Sequence, residues 1–385
     1  MYIPGVRRIN NEYVSFTQLL QTNKNTKVQK LKQETMRNKN IFKSVVAIVV
    51  ASLIGAHTTV SAQSESTANN KRERILQVLD QSRPNEYVPA AFFLHFENKL
   101  GRKAVQDHKD FYRATNMDFV KVFYEIAVPK IDIQTGKDWE KVPVYGEDFF
   151  EPQVAVIEDL AREFKGEAFI LPTVYSPLAL AHQTLGRGKD LKKLASENPK
   201  AFGQAIKNLS LSIENYLRAA RKRGADGFYV SSQGGDGNSL PEKIWKEQVR
   251  QWDKHVSEVA NEIGEINILH ICDYGTPFKN AEALYAFADY PASIINVPLN
   301  FSDGSTLNLK EAQKRFGRPI FGGLERLGVI ANGSIEEAKA AVDKVLQNAA
   351  PNFILGADCT VPGTTDWDKL RAVIDYAHNW RKTHK

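Results

Sequence analysis

From Val88 onward, short apolar runs alternate with long amphipathic segments. The runs fall at 88–96, 119–123, 168–171, 227–231, 267–271, 294–297, 319–321 and 353–355. Each is short, rich in β-branched or aromatic residues, and closed by Gly, Pro or a polar cluster, as a buried strand should be. The segments between them carry helix signals. From Pro199 to Arg223 the apolar residues Phe202, Ala205, Ile206, Leu209, Leu211, Ile213 and Leu217 read as one amphipathic helix. Ser239-Leu-Pro-Glu242 reads as a capping box opening a helix to about Ile263, and Ser334-Ile-Glu-Glu337 as another opening a helix to about Asn348. Thr365 or Asp366 caps a last helix to about Arg381.

Strand–helix alternation repeated eight times predicts an α/β fold of the TIM (β/α)8 barrel type, as one domain. In such a barrel the functional groups gather just past the C-terminal ends of the strands. The polar residues of this chain meet that condition. His95 ends the first run, and Lys121 and Glu125 accompany the second. Tyr175 follows the third, while Ser232 and Gln233 follow the fourth. His270, Cys272 and Asp273 end the fifth run, and Asn296 lies in the sixth. Glu325 and Arg326 follow the seventh, with Asp358 and Cys359 after the eighth.

The two cysteines are the only ones in the chain. On a strand, His270 and Cys272 point to the same face, because side chains alternate with period two. Cys359, from another strand end, completes a His/Cys/Cys set with a fourth position open, the pattern of a catalytic zinc site. Two other readings of the same cysteines stand beside it: small hydrophobes packed in a core, or a disulfide in an exported chain. Lys121 sits inside an apolar run. An inward-facing lysine there needs a carboxylate or a ligand anion, and an outward-facing one needs only to reach water past a helix.

The N-terminal part lacks this alternation. Residues 1–35 are polar, without hydrophobic periodicity, and are expected to be a disordered upstream extension. A basic start at Met36, an apolar stretch from Val45 to Ala56 and Val60-Ser61-Ala62 read as a signal peptide, Met36–Ala62. The apolar stretch is too short for a comfortable membrane span, so no stable span is expected after cleavage. The expected product is residues 63–385, exported and periplasmic. The leader also explains the charge. Residues 1–62 hold nine Lys and Arg against two acids, a net of +7, whereas the whole chain is +6. The remainder is therefore at −1, which argues against nucleic acid as a partner.

The C-terminal third resembles the uroporphyrinogen decarboxylase superfamily. The matching pieces are ILHICDYGT, INVPLNFSDGSTLNLKEAQKRFG, RPIFGGLERLGVIANGSIEEAKAAV and FILGADCTVPGTTDWDKLRAVIDYA, with GADGFYVSSQGGDGNSLPEKIWKEQV, DFYRATNMDFVKV and VPAAFFLHF earlier. The resemblance implies a TIM barrel and one of two chemistries. One is decarboxylation of uroporphyrinogen without a cofactor, and the other is zinc-dependent methyl transfer from a corrinoid to a thiol. The methyltransferase branch implies His270, Cys272 and Cys359 as zinc ligands, with a corrinoid as co-substrate, a small-molecule thiol as acceptor and a separate corrinoid protein as partner. The match to the decarboxylase is thinner. Its arginine-rich motif corresponds to FFLHFENKLGRK with His95, its aspartate falls near Glu125, its tyrosine near Gln183, and its histidine at Ala357, while Ser232 matches its serine. A tetrapyrrole with many carboxylates needs many cations, and Lys121 and Arg326 are the ones in view.

The site residues that follow are His95, Lys121, Glu125, Ser232, Asp273, Glu325 and Asp358 as catalytic candidates. Tyr175, Gln233, Asn296 and Arg326 are candidates for binding a cofactor or substrate. Asp273 and Asp358 each adjoin a proposed ligand and would support it. A third reading of the chain is an exported binding protein that holds a corrinoid or porphyrin without turning it over.

Overall fold

The structure is a computed structural model. It describes residues 70–384 except 81, 83–85 and 235–238, together with two short strands near the N-terminus. The chain divides into two compact units, residues 1–68 and 69–385. In the first, β1 (Val6–Ile9) and β2 (Glu12–Ser15) pair antiparallel, Val6 opposite Ser15. These two strands lie within the stretch 1–35. The expected signal peptide, Met36–Ala62, lies outside the described residues.

The second unit is a seven-stranded parallel sheet in the order β3-β4-β5-β6-β7-β8-β9. The strands are β3 (Phe119–Val122), β4 (Phe169–Tyr175), β5 (Gly227–Ser232), β6 (Ile266–Ile271), β7 (Ile294–Asn296), β8 (Ile320–Leu324) and β9 (Phe353–Ala357). All are buried almost throughout, as strands covered by helices must be. Every connection between neighbours passes through at least one helical segment.

Seven of the eight expected runs are strands, and the first is not. Residues 88–96 are extended but make a single parallel bridge, Ala90 to Leu355. The cause is local. Pro89 has no N–H to give, and the N–H of Ala90 goes to the Asp118 carboxylate at 2.7 Å rather than to a strand. What remains is Ala91 N–H to Leu355 O at 3.0 Å and Leu355 N–H to Pro89 O at 2.8 Å on one edge. On the other edge, Asp118 N–H reaches Ala90 O at 3.0 Å. The segment therefore bonds to residues at both edges of the sheet.

The helices follow the expected caps with one exception. Pro199–Lys222 is capped by Asn198, Ile335–Asn348 by the Ser334–Glu337 box, and Trp367–Thr383 by Asp366. The Ser239 box does not form. Pro241 (ψ 133°) stands at the cap, without a side-chain cap bond, and the helix starts at Glu242. The residue before a proline is steered away from helical torsions, which moves the start past Leu240. A π-turn, Trp245–Val249, then joins this start to Arg250–Ile263. Among the described residues no helix is long and apolar enough to cross a membrane.

Candidate metal centre and active site

Strand register decides which side chains meet. His270 on β6 lies opposite Ser231 on β5 and Asn296 on β7. Tyr229, two residues before Ser231, shares its face, and its ring stacks on His270 with centroids 5.3 Å apart. The Tyr229 hydroxyl donates to Asn296 Oδ1 at 2.7 Å. Asn296 in turn donates from Nδ2 to Phe321 O at 2.8 Å and Ala357 O at 3.1 Å. Its amide is fully used, tying β7 to the ends of β8 and β9. That fixes the strand end from which Asp358 and Cys359 leave.

Cys272 continues the inward face two residues after His270, and its N–H is held by Ser232 O at 2.8 Å. One donor atom each from His270, Cys272 and Cys359 lies within 4.8 Å of the others. His270 is 3% exposed, and neither of its ring nitrogens has a hydrogen-bond partner among the described residues. A buried imidazole with both nitrogens unbonded calls for an occupant. The donors are two sulfurs and a nitrogen, which suits zinc, and their spacing is within about an ångström of what a tetrahedral ion needs. The residues fit the metal.

The thiols are already polarised. A proton shared with Cys272 holds the Cys359 thiol well below the ordinary range, against burial and helped by the imidazole. The same shared proton, with burial and repulsion from Cys359, holds the Cys272 thiol well above it. The pair therefore titrates in two separated steps.

One arginine clamps the residues beside both cysteines. Arg326 reaches Asp273 at 3.1 and 3.2 Å and Asp358 at 3.5 Å, and its backbone N–H meets Asp358 Oδ1 at 2.8 Å. Burial lifts Asp358 to about 6 even so. The guanidinium ties together the loops that carry Cys272 and Cys359.

The remaining candidates separate into groups. At the end of the first segment, His95 Nδ1 and Glu125 Oε1 are 2.9 Å apart, and Lys99 joins them at 3.4 Å. Burial would raise Glu125, but hydrogen bonds from His95 and Lys99 outweigh it and hold the carboxyl below its ordinary range. Lys121 is 6% exposed and faces inward, with Nζ 3.8 Å from the Phe123 ring, 4.6 Å from Tyr229 and 4.9 Å from Phe93. Tyr175 is half-buried, its hydroxyl pushed up by burial and by Glu125 and the two cysteines. Gln233 is buried with Nε2 unpartnered, and its carbonyl is held by Trp245 Nε1 at 3.1 Å. Ser232 is not with them. It lies on the opposite face of β5 from Tyr229 and bonds Asp253 of the helix behind at 3.3 Å. Glu325 is exposed at the end of β8, and its carboxylate makes no hydrogen bond or ion pair among the described residues.

Tyr229, Phe93 and Phe123 escaped the search by polar residue type. The period-two alternation back from Ser231 would have found Tyr229. Asp253 escaped too, since one acid on an amphipathic helix carries no signal of burial.

The sequence profile of uroporphyrinogen decarboxylase (URO-D) matches residues 112–380. The chain belongs to the uroporphyrinogen decarboxylase family. Among solved structures, this family member is similar to a methyltransferase from Methanosarcina mazei, at TM-score 0.61 and 12% identity, over 81% of this chain and 99% of that one. It is also similar to a B12-independent methionine synthase from Shewanella sp. W3-18-1, at TM-score 0.48 and 13% identity, over 77% of this chain and 96% of that one. At these identities the likeness is one of fold. No curated protein matches the sequence.

Proposed function

We propose that this family member is an exported enzyme that transfers a methyl group to a thiol, using zinc held by His270, Cys272 and Cys359. The observation that carries the reading is the buried imidazole, unpartnered among the described residues, within reach of two thiols. Zinc bound there lowers the pKa of a thiol and presents it as a thiolate. Arg326, with Asp273 and Asp358, keeps the cysteine-bearing loops in place. Tyr229 orients the imidazole from one side by stacking. His95 and Glu125 hold an exchangeable proton near the same end of the sheet. The methyl donor is a corrinoid, delivered by a separate partner. The likeness to a methyltransferase and the intact His/Cys/Cys set both support this branch of the family.

The fold that goes with this reading is a closed barrel of eight staves. The segment around Ala90, bonded to residues at both edges of the sheet, is the eighth. The leader reading adds that the mature N-terminus is Gln63.

The test is metal content and thiol count on residues 63–385, followed by methyl transfer from methylcobalamin to 2-mercaptoethanol. We expect about one zinc per chain, lost in His270→Ala, and transfer that fails in Cys272→Ala. A metal-free protein with Cys272 and Cys359 bridged sinks the proposal. Release of CO2 from uroporphyrinogen by such a protein would make it a decarboxylase. Tight corrinoid or porphyrin binding without product would make it a carrier.

A further inference from the structure

Two lysines of the described chain are almost wholly buried, and their surroundings differ. Lys369, 7% exposed, donates to Ala331 O at 3.0 Å and Gly333 O at 2.9 Å. Its charge is dispersed on backbone carbonyls, and it holds a loop in place. Lys121, 6% exposed, has no hydrogen bond and no ion pair among the described residues. Its Nζ is surrounded by the rings of Phe93, Phe123 and Tyr229 instead.

That arrangement is costly as structure alone. A charged amine in an apolar box loses its hydration, and cation–π attraction with the pull of Cys359, Cys272 and Glu125 offsets only part of that loss. Methionine would fill the same space without that loss. The strand position adds to this. Lys121 pairs in register with Leu171 of β4 on the inward face of the sheet. It shares Tyr229 as a neighbour with His270.

We propose that Lys121 is a carbonyl-capturing amine, taking small aldehydes or ketones with an apolar body as an imine. The nitrogen lone pair forms a bond to the carbonyl carbon, and the C=O π pair moves to oxygen, which takes a proton from nitrogen. The carbinolamine then loses its hydroxyl as water with the second nitrogen proton, and C=N replaces C–O. One amine and one carbonyl compound give one imine and one water, with no oxidant or reductant. The imine so formed is neutral, which suits a box lined by three rings. The apolar box suits the starting amine. Burial brings Lys121 down to about 7, although Cys359, Cys272 and Glu125 pull the other way. A lysine in such surroundings is a nucleophile at neutral pH. Among the described residues no second lysine or arginine packs on these three rings to receive a carboxylate, so an uncharged carbonyl is favoured over a keto acid.

The experiment is reductive trapping. The full-length protein, with no metal added, is incubated with propanal and cyanoborohydride near pH 7, digested, and mapped by mass spectrometry. Lys121 is expected to carry the propyl group about tenfold or more above the mean of the exposed lysines, since a larger fraction of it is neutral. Pyruvate in place of propanal is expected to label it less. In Lys121→Met the peptide 119–123 remains unlabelled while the unfolding midpoint stays near that of the parent. Labelling of Lys121 at or below the surface average overturns the proposal. So does a Lys121→Met protein that has lost most of its stability, because the amine would then be structural. Omitting metal keeps this result separate from the zinc reading, which is measured by metal content.

Discussion

The two ends of the sheet differ in how they handle buried polar groups. At the N-terminal ends of the strands most such side chains close on partners, although Asn352, just before β9, keeps Oδ1 without one among the described residues. Asp118, wholly buried, accepts from Ala90 N–H at 2.7 Å, from Tyr87 at 2.9 Å and from His378 at 2.8 Å. Asp226 accepts from Ile170 N–H at 2.8 Å and pairs with Arg72 at 2.8 Å. Asn267 accepts from Phe228 N–H and donates to Ala260 O. At or near the C-terminal ends, His270, Thr173 and Gln233 keep buried polar atoms without partners among the described residues, and Lys121 stands unpaired there among rings. Closed polar groups hold a fold together. Open ones cost stability unless something comes to meet them. The same kind of residue therefore means stability at one end and function at the other.

The sharpest way to break this comparison is Asp118→Ala. The carboxylate joins the first segment, β3 and the last helix, through Ala90, Tyr87 and His378. Its loss strands three donors at once. Removing one partner of such a buried cluster costs about 3–5 kcal/mol. Urea denaturation should show the unfolding free energy falling by that amount, and the midpoint with it, with no change in zinc content. An unchanged midpoint would mean that the N-terminal end is not the stabilising one.

Asp253 is an intermediate case, on the outer face of β5. Ser232 meets one carboxylate oxygen, and the other has no partner. Burial raises this acid to about 7, against the pull of Ser232, Tyr290 and Arg250. The folded state thus binds a proton that the unfolded chain, with its acid near 3.8, releases. Stability from this group is present below pH 4 and is lost as pH rises from there through 7. The loss amounts to at most about 4 kcal/mol. Asp253→Asn should remove that slope, so the difference in unfolding free energy between the two proteins grows from pH 4 to 7 and then levels. Parallel stability curves for the two proteins would place the proton elsewhere.

How much of this was legible in the sequence depends on the kind of signal. The seven strands and the helices after Asn198, Ser334 and Asp366 declare themselves through periodicity and caps, which are local. The His270–Cys272–Cys359 cluster was legible because two ligands share one strand and the third follows another strand end. What local pattern could not supply was partner choice. Residues 88–96 look like a strand, but whether Ala90 N–H bonds to a strand or to a side chain depends on Asp118, 28 residues away. Arg326 looks like a free cation until the fold brings Asp273 and Asp358 to it. Ser232 looks like a site residue until register puts its hydroxyl behind the sheet. Pro172, inside β4, hid the second half of that strand by ending its apolar run.

The smallest effect is the most discriminating, because its sign differs from the rest. Thr173 lies on β4 opposite Tyr229, wholly buried, with its hydroxyl unpartnered. Valine has nearly the same shape and no hydroxyl. At the closed end such a change would strand a partner. Here no protein group loses a bond, and the desolvated hydroxyl disappears. Thr173→Val should leave the unfolding free energy unchanged or raise it by about 1 kcal/mol. If Thr173 helps to hold substrate or ordered water beneath the cysteines, methyl-transfer KM should rise in the same variant. A loss of stability beyond about 1 kcal/mol would show that the hydroxyl has a partner in solution. The C-terminal end would then be as closed as the other, and the argument from unpartnered atoms to function would lose this residue.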